Sequence, residues 1–288
     1  MSNTISRPLR YMALFALTTA GAMAADIAPL PRQNSVPGGI AIVALTDYAS
    51  PNTPEVLYNG QRTLVKRVDG QWHAVIGIPL DTAAGEHFVE VKRHDRISQL
   101  AFTVVDKEYK TQHLTVKNKR HVNPSAEDLE RIKRESELMQ VAFTTWTEED
   151  AVPGRFTLPV QGRFSSPFGL RRFFNKEPRK PHSGLDIAAK IGTAINAPAA
   201  GTVSTTGDFF FNGNTVFLDH GQGLISMYCH MNSIEVKKGD KILPGQRIGT
   251  VGKSGRVTGP HLHWSVSLNN TRVDPVLFFT DETIAGLK

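Results

Sequence analysis

Short apolar runs with frequent Gly and Pro between them dominate the chain, and this is the pattern of strands. Ile40 to Leu45 is a first run. Leu64 to Ile78 holds two more around Asp69-Gly70, a two-residue hairpin signal. His87 to Val91, Leu100 to Val105 and His113 to Val116 continue the series. Between Asn123 and Trp146 the period changes. Leu129, Ile132, Met139 and Phe143 recur near helical spacing, and Ser125 followed by Asp128 resembles a capping box with Asp in place of Glu. The spacing predicts one helix packed on a domain. From Phe156 onward strands return, with Asn196 to Val203, Thr215 to Asp219, Leu224 to Met231, Gln246 to Val251 and Leu262 to Leu268 as the candidates.

The first residues follow another pattern. Arg7 and Arg10 precede an apolar run from Tyr11 to Thr19, and Ala22-Met23-Ala24 is a small-x-small cleavage pattern. This predicts a Sec signal peptide over 1–24. The run is short of the ~20 residues a spanning helix needs, so no membrane anchor is expected after cleavage. One cysteine, Cys229, excludes an internal disulfide and a Cys-based zinc ribbon.

Alternation along two strands sorts the polar residues. In His261 to Leu268, Leu262, Trp264, Val266 and Leu268 share one face, and His261 and His263 share the other, about 7 Å apart at ~3.3 Å per residue. One of the pair can ligate a metal while the other sits over a metal-bound water. In Leu224 to Met231, alternation places Ile225, Met227, Cys229 and Met231 on an apolar face and Ser226, Tyr228 and His230 opposite, with His230 toward a polar site. Cys229 is then a core residue. His182-Ser183-Gly184-Leu185-Asp186 adds a His and an Asp four apart. Together these groups supply the three N/O donors that a catalytic zinc takes while keeping one position open. His73, His87, His94, His113 and His121 are scattered.

The ordered motifs resemble the lysostaphin-type (LytM-like) zinc metallopeptidases from Gly162 to about Pro275. They are Ser165-Ser166-Pro167-Phe168-Gly169-Leu170-Arg171, the His182–Asp186 block, Gly213-Asn214, Leu218-Asp219-His220-Gly221, Tyr228-Cys229-His230-Met231, and Gly252 through His263. The resemblance implies His182, Asp186 and His263 as ligands of one Zn2+ per catalytic domain, and His230 and His261 as catalytic histidines outside the ligand set. His261 is the better candidate base and His230 the oxyanion or proton-delivery group, although the two can exchange roles. His220 is structural. Some relatives carry a Tyr shortly before the first His. Here Phe173, Phe174 and Asn175 occupy that region, and the role is unassigned.

The expected architecture is mainly β. An N-terminal small β-sandwich, immunoglobulin-like in strand count, covers 25–122, a helical linker covers 123–155, and a C-terminal antiparallel β metallopeptidase domain with an active-site groove covers 156–288. The implied substrate is peptidoglycan, at its D-alanine–diaminopimelate cross-link, and the implied location is the periplasm, with secretion as the alternative. A non-enzymatic regulator of a wall amidase is the rival reading. The N-terminal region could bind wall, dock a periplasmic regulatory protein or cover the groove. A lipoyl-like carrier, a P-loop and a serine hydrolase each lack a required residue.

Charge refines this picture. The 33 Lys and Arg exceed the 27 Asp and Glu, and after residue 24 the excess lies in 156–288, with 15 basic against 9 acidic residues. Arg171, Arg172, Lys176, Arg179 and Lys180 crowd the approach to His182. An anionic wall polymer suits that surface, and nucleic acid is not needed to explain it.

Overall fold

The computed structural model describes residues 30–285 apart from 47, 49, 94, 95, 117–119, 121 and 150. The expected signal peptide, and with it His94 and His121, lies outside the described residues.

The N-terminal strands are β1 (Ile40–Ala44), β2 (Glu55–Tyr58), β3 (Gln61–Arg62), β4 (Leu64–Val68), β5 (Gln71–Gly77), β6 (Gly85–Arg93), β7 (Arg96–Val104) and β8 (Thr111–Leu114). The first seven form two sheets, ordered β1-β5-β4 and β3-β2-β6-β7. Ala41, Val43, Trp72, Ala74 and Ile76 from the first meet Val56, Tyr58, Val89 and Val91 from the second in one core. This is a sandwich. Asp69 and Gly70 both take positive φ, as the two-residue turn between β4 and β5 requires.

The first sheet is also buried on its other face. Ile40, Leu64 and Val75 belong to the core of the C-terminal region, together with Trp264, Val266 and Leu268. This is why Leu64 and Val65 are both buried although they point opposite ways. Polar contacts seal the junction. The Asn269 side chain accepts from Gly77 N at 2.7 Å and donates to Gly77 O at 3.0 Å, and Gln222 Oε1 accepts from Val65 N at 3.0 Å. A further departure from a self-contained N-terminal unit is β8, which pairs in parallel with a strand beside His182 (β10, below).

Helix α1 spans Ala126–Phe143. Ser125 Oγ accepts from Asp128 N, and Asp128 Oδ2 accepts from Ser125 N, each at 3.2 Å, so the predicted capping box is present. Met139, Ala142 and Phe143 pack downward, but Leu129 points to solvent at 54% exposure, contrary to the periodicity.

The C-terminal strands are β9 (Arg163–Ser166), β10 (Arg171–Phe174), β11 (Glu177–Pro178), β12 (Leu185–Ala188), β13 (Ala194–Asn196), β14 (Gly201–Phe209), β15 (Gly213–Asp219), β16 (Ile225–Ile234), β17 (Lys241–Ile242), β18 (Arg247–Val251), β19 (His261–Leu268) and β20 (Thr271–Val273). A short 3-10 turn at Pro275–Phe278 and α2 (Asp281–Ala285) follow. The main sheet runs β17-β14-β15-β16-β19-β12-β9. The single strand expected over Asn196 to Val203 is two strands, β13 and β14. Pro198 between them has no N–H to donate to a ladder.

One face of this sheet carries Leu185, Ile187, Val216, Leu218, Tyr228, Leu262 and Trp264, all in the main core. On the other face Phe217, Ile225, Met227 and Cys229 lie under Phe143 of α1. Part of that second face is left for chemistry. The docking of the two regions is directly testable. Asn269→Ala leaves the buried N–H and C=O of Gly77 unpartnered, so stability should fall by about 3 kcal/mol, read as a lower urea midpoint; an unchanged midpoint would show the junction to be dispensable.

Candidate active site

Antiparallel register assembles the center. Asp186 on β12 is opposite His263 on β19, and Ala188 is opposite His261. Directly opposed residues project to the same face with adjacent Cβ atoms. Cys229 on β16 is opposite His263 and shares that face under α1. The expectation that His261 and His263 share a face therefore holds.

His182 arrives from the loop before β12. Its N donates to Leu170 O at 2.9 Å, and its carbonyl accepts from Gly169 N at 2.8 Å. Nδ1–H donates to Pro167 O at 2.7 Å, which fixes the tautomer and leaves Nε2 bare toward the center. Gly184 makes the approach of loop to strand possible. A Cβ there would lie 2.5 Å from Trp264 O and 2.9 Å from the His263 ring.

His182 Nε2, Asp186 Oδ1 and His263 Nδ1 converge with separations of 2.9, 3.0 and 2.8 Å. With Nε2–H of His263 toward Ser265 Oγ at 3.0 Å, its Nδ1 is also a bare lone pair. Three electron-pair donors pointed at one another repel unless a cation lies between them. This donor set, two imidazoles and a carboxylate without thiolate, fits a divalent metal and leaves coordination positions open.

Asp186 is the electrostatic hub. It is 7% exposed, and burial alone would raise its carboxyl. When the imidazoles of His182 and His263 carry protons toward it, their hydrogen bonds and charges outweigh that and hold it well below the usual carboxylate range, and a bound cation would take over that role. Arg172 Nη2 donates to Asp186 Oδ2 at 3.0 Å and to Ser166 Oγ at 3.0 Å. Burial first, and then His182 and Arg172 nearby, push His263 down to about 4 despite Asp186.

His261 Nδ1–H donates to Gly259 O at 2.8 Å, so its Nε2 faces the center, 3.8 Å from Asp186 Oδ1. His230 Nδ1–H donates to Ser254 O at 2.9 Å, and its ring lies 4.9 Å from that of His261 and 6.0 Å from that of His263. Burial, then the adjacent His261 and His263, hold His230 well below the ordinary histidine range.

The alternation argument for His230 needs correction. Regular alternation would have sent His230 to the core face with Ser226 and Tyr228, which are fully buried and bond each other at 2.9 Å. His230 instead has φ +62, and the pairing of β16 slips just beyond it, between Met231 and Ser233. The left-handed residue turns its imidazole to the face of His263 and returns Met231 to the main core beside Tyr228. The polar-site conclusion survives for a different reason. Cys229 is buried, its thiol pushed up by burial, as expected of a core residue.

His220 is structural. Its Nδ1–H donates to Ala200 O at 2.6 Å and Nε2 meets Ser226 Oγ at 2.7 Å. His73 and His87 bond locally to backbone carbonyls, and His113 stacks on Phe173. Ser254 is a residue of the site that sequence reasoning did not place there, and Arg256, two residues on, packs its guanidinium on Phe174 and Phe211. The Ser254 hydroxyl accepts from Asn214 N at 3.0 Å and donates to Met231 O at 2.8 Å, pinning the carbonyl that orients His230. Arg172, by sequence only part of the approach charge, is a direct partner of Asp186.

Residues 180–275 match the family model described as Peptidase family M23, and residues 33–107 match that of the Peptidase family M23 N-terminal domain. A peptidase M23 crystal structure from Pseudomonas aeruginosa is 43% identical, with a TM-score of 0.73 over 85% of this chain and 95% of that one. Peptidoglycan DD-endopeptidase ShyA of Vibrio cholerae is 40% identical over 121 residues, 42% of this chain and 28% of that protein. DD-carboxypeptidase/endopeptidase Mpg of Neisseria meningitidis is 38% identical over 117 residues, 41% and 27%. The match thus spans little more than a quarter of those curated relatives.

Two outcomes test this geometry. Gly184→Ala forces β12 away from β19 and should weaken divalent-metal binding at least tenfold, at an overpacking cost of about 1–3 kcal/mol, measured by competition with a chromogenic chelator. His220, pushed down to about 4 by burial, stays neutral in the fold while the unfolded chain takes up its proton near pH 6.5. Its contribution is complete above pH 6.5 and is lost as pH falls toward 4, at about 1.4 kcal/mol per unit. Urea midpoints across that window should fall less steeply, by one proton, in His220→Gln; parallel slopes would refute the assignment.

Proposed function

The chain belongs to peptidase family M23, and on that premise we propose that it is an exported zinc-dependent endopeptidase that hydrolyses peptidoglycan cross-links at the D-alanine–diaminopimelate bond. The observation that carries this reading is the convergence of His182 Nε2, Asp186 Oδ1 and His263 Nδ1 beneath two further histidines whose Nε2 atoms face the same point. The names of the relatives support the substrate class. The basic rim around His182 and the signal pattern over 1–24 support an anionic target outside the cytoplasm. Among the described residues no helix is long and apolar enough to cross a membrane. The periplasm is the compartment where that substrate and a Sec signal meet.

His182, Asp186 and His263 hold the metal in this reading. Bound there, zinc supplies Lewis acidity toward the scissile carbonyl and acidifies water. His261 takes a proton from the attacking water through Nε2, its Nδ1–H anchored on Gly259 O. His230 serves the other side of the reaction, as donor to the developing oxyanion or to the leaving nitrogen. Its burial keeps it neutral with Nδ1–H on Ser254 O, so the proton it gives from Nε2 is the one His261 takes from water, passed between rings 4.9 Å apart. The amidase-regulator alternative is disfavoured because the complete donor set is retained.

The test is mass analysis of muropeptides after incubation of purified cross-linked dimers with the zinc-loaded mature protein. Dimers should convert to monomers with the gain of one water, and a chelator or His182→Ala should abolish this. His261→Gln and His230→Gln should retain zinc by metal analysis and lose at least about 100-fold in turnover. Intact dimers after prolonged incubation with active-site-complete, zinc-loaded protein would overturn the reading.

A further inference from the structure

Asp186 offers two oxygens, and its surroundings treat them differently. Oδ1 takes part in the convergence, 2.9 Å from His182 Nε2 and 2.8 Å from His263 Nδ1. Oδ2 accepts instead from Arg172 Nη2 at 3.0 Å. An arginine beside a carboxylate frequently forms a fork, two parallel N–H···O bonds that occupy both oxygens. Here the fork is not made. The single nitrogen Nη2 serves both Asp186 Oδ2 and Ser166 Oγ, the latter also at 3.0 Å. Nε, which a side-on fork would use, is buried and makes no hydrogen bond among the described residues.

Ser166 accounts for this departure. It lies on β9 directly opposite Asp186 on β12, so Arg172 spans a cross-strand pair and reaches one oxygen of the carboxylate only. The strand that carries Arg172 is held at both edges. Arg171 N donates to Lys110 O at 3.0 Å, just before β8, whose Gln112 is the register partner of Arg172. On the β11 side, Arg172 O accepts from Arg179 N at 2.9 Å. The Arg172 side chain is 18% exposed, which leaves the guanidinium little room to turn toward water.

This arrangement matters for a cation held at the convergence. A carboxylate that gives it both oxygens fills two positions. With His182 and His263 that makes the full tetrahedral complement of a zinc site, and none is left for water. A carboxylate that gives one oxygen keeps the fourth position open. A guanidinium on the second oxygen also draws negative charge away from the center, so a bound cation is the stronger Lewis acid.

We propose that Arg172 is a positioning residue that withholds Asp186 Oδ2 from the metal, so that Asp186 binds through Oδ1 alone and the position for the attacking water stays open. Ser166 is its partner, because it keeps the guanidinium from closing a fork over Oδ1 as well. This role rests on the zinc-site reading above and deepens it.

The two residues should then have opposite effects on metal affinity, measured by competition with a chromogenic chelator. Arg172→Met frees Oδ2 and removes a cation, so zinc should bind at least as tightly as in wild type, while kcat on cross-linked dimers falls about tenfold or more with KM little changed. Ser166→Ala lets the guanidinium close on both oxygens and should weaken zinc binding about tenfold. The double variant should bind zinc as Arg172→Met does. Loaded with Co(II), Arg172→Met should show a visible absorption spectrum of altered intensity, the signature of a changed donor set, and Arg172→Lys should return it toward wild type. Zinc affinity that falls together with melting temperature in Arg172→Met, or an unaltered Co(II) spectrum in that variant, reduces the contact to a plain ion pair and overturns the role. Should Arg172→Met fail to fold, undiminished zinc affinity in Ser166→Ala overturns it. Each of these leaves the zinc-endopeptidase reading standing, whereas wild type that binds no zinc overturns both.

Discussion

A carboxylate buried in a β-sheet survives there only if its charge is answered on every side. Asp186 meets that condition with Arg172 at one oxygen and, at the other, with a cation or proton shared with His182 and His263. The surrounding structure follows from satisfying it. The register of β12 against β19 brings His263 across from it. Gly184 allows the preceding loop to pass beneath Trp264 O, and Pro167 O turns His182 so that its bare nitrogen points inward. The same oxygen that collects the two imidazoles leaves an acceptor-rich point between them, which is what a divalent cation requires. Folding and metal affinity are therefore expressions of one electrostatic arrangement.

The sheet around that carboxylate divides its two faces sharply. One is an apolar core running from Leu185 through Trp264 to the N-terminal strands. The other is shared between a patch covered by α1 and the catalytic cluster. His230 crosses from the first face to the second by a left-handed backbone residue, an arrangement that costs conformational energy and that the Ser254 and Asn212 carbonyls hold in place. The N-terminal sheet, buried on both sides, is a wall of the catalytic region rather than an appended module. Strand β8, beside β10, carries that attachment to the edge of the site. The position of Arg256, between rings contributed by β10 and by the turn after β14, depends on the same convergence.

Much of the site was legible because it uses the strict period of a strand. His261 and His263 share a face for the same reason that Leu262 and Trp264 share the other, and the capping box at Ser125 and Asp128 is a local device readable from three residues' spacing. Asp69-Gly70 announced its hairpin through a backbone conformation few other pairs adopt. Reading failed where a local rule was overridden at a distance. Alternation carried past His230 put it on the wrong face, since nothing in Tyr228-Cys229-His230-Met231 marks the positive φ. The apolar residues from Asn196 to Val203 read as one strand, and Pro198 divides them into two.

What the amino-acid sequence determined alone is the chemistry available: four histidines and an aspartate in ordered motifs, strands to carry them, one helix, and a basic excess beside His182. Those follow from side-chain type and from periods of two and about 3.6 residues, which are local properties of the chain. Tertiary structure decided which atoms meet. The separations near 3 Å among His182, Asp186 and His263, the Arg172 contact to the second carboxylate oxygen, the clamp of Phe174 and Phe211 on Arg256, and the second buried face of the N-terminal sheet all join residues distant along the chain. Such contacts arise from the register and packing of whole strands against each other, and no window of neighbouring residues contains them.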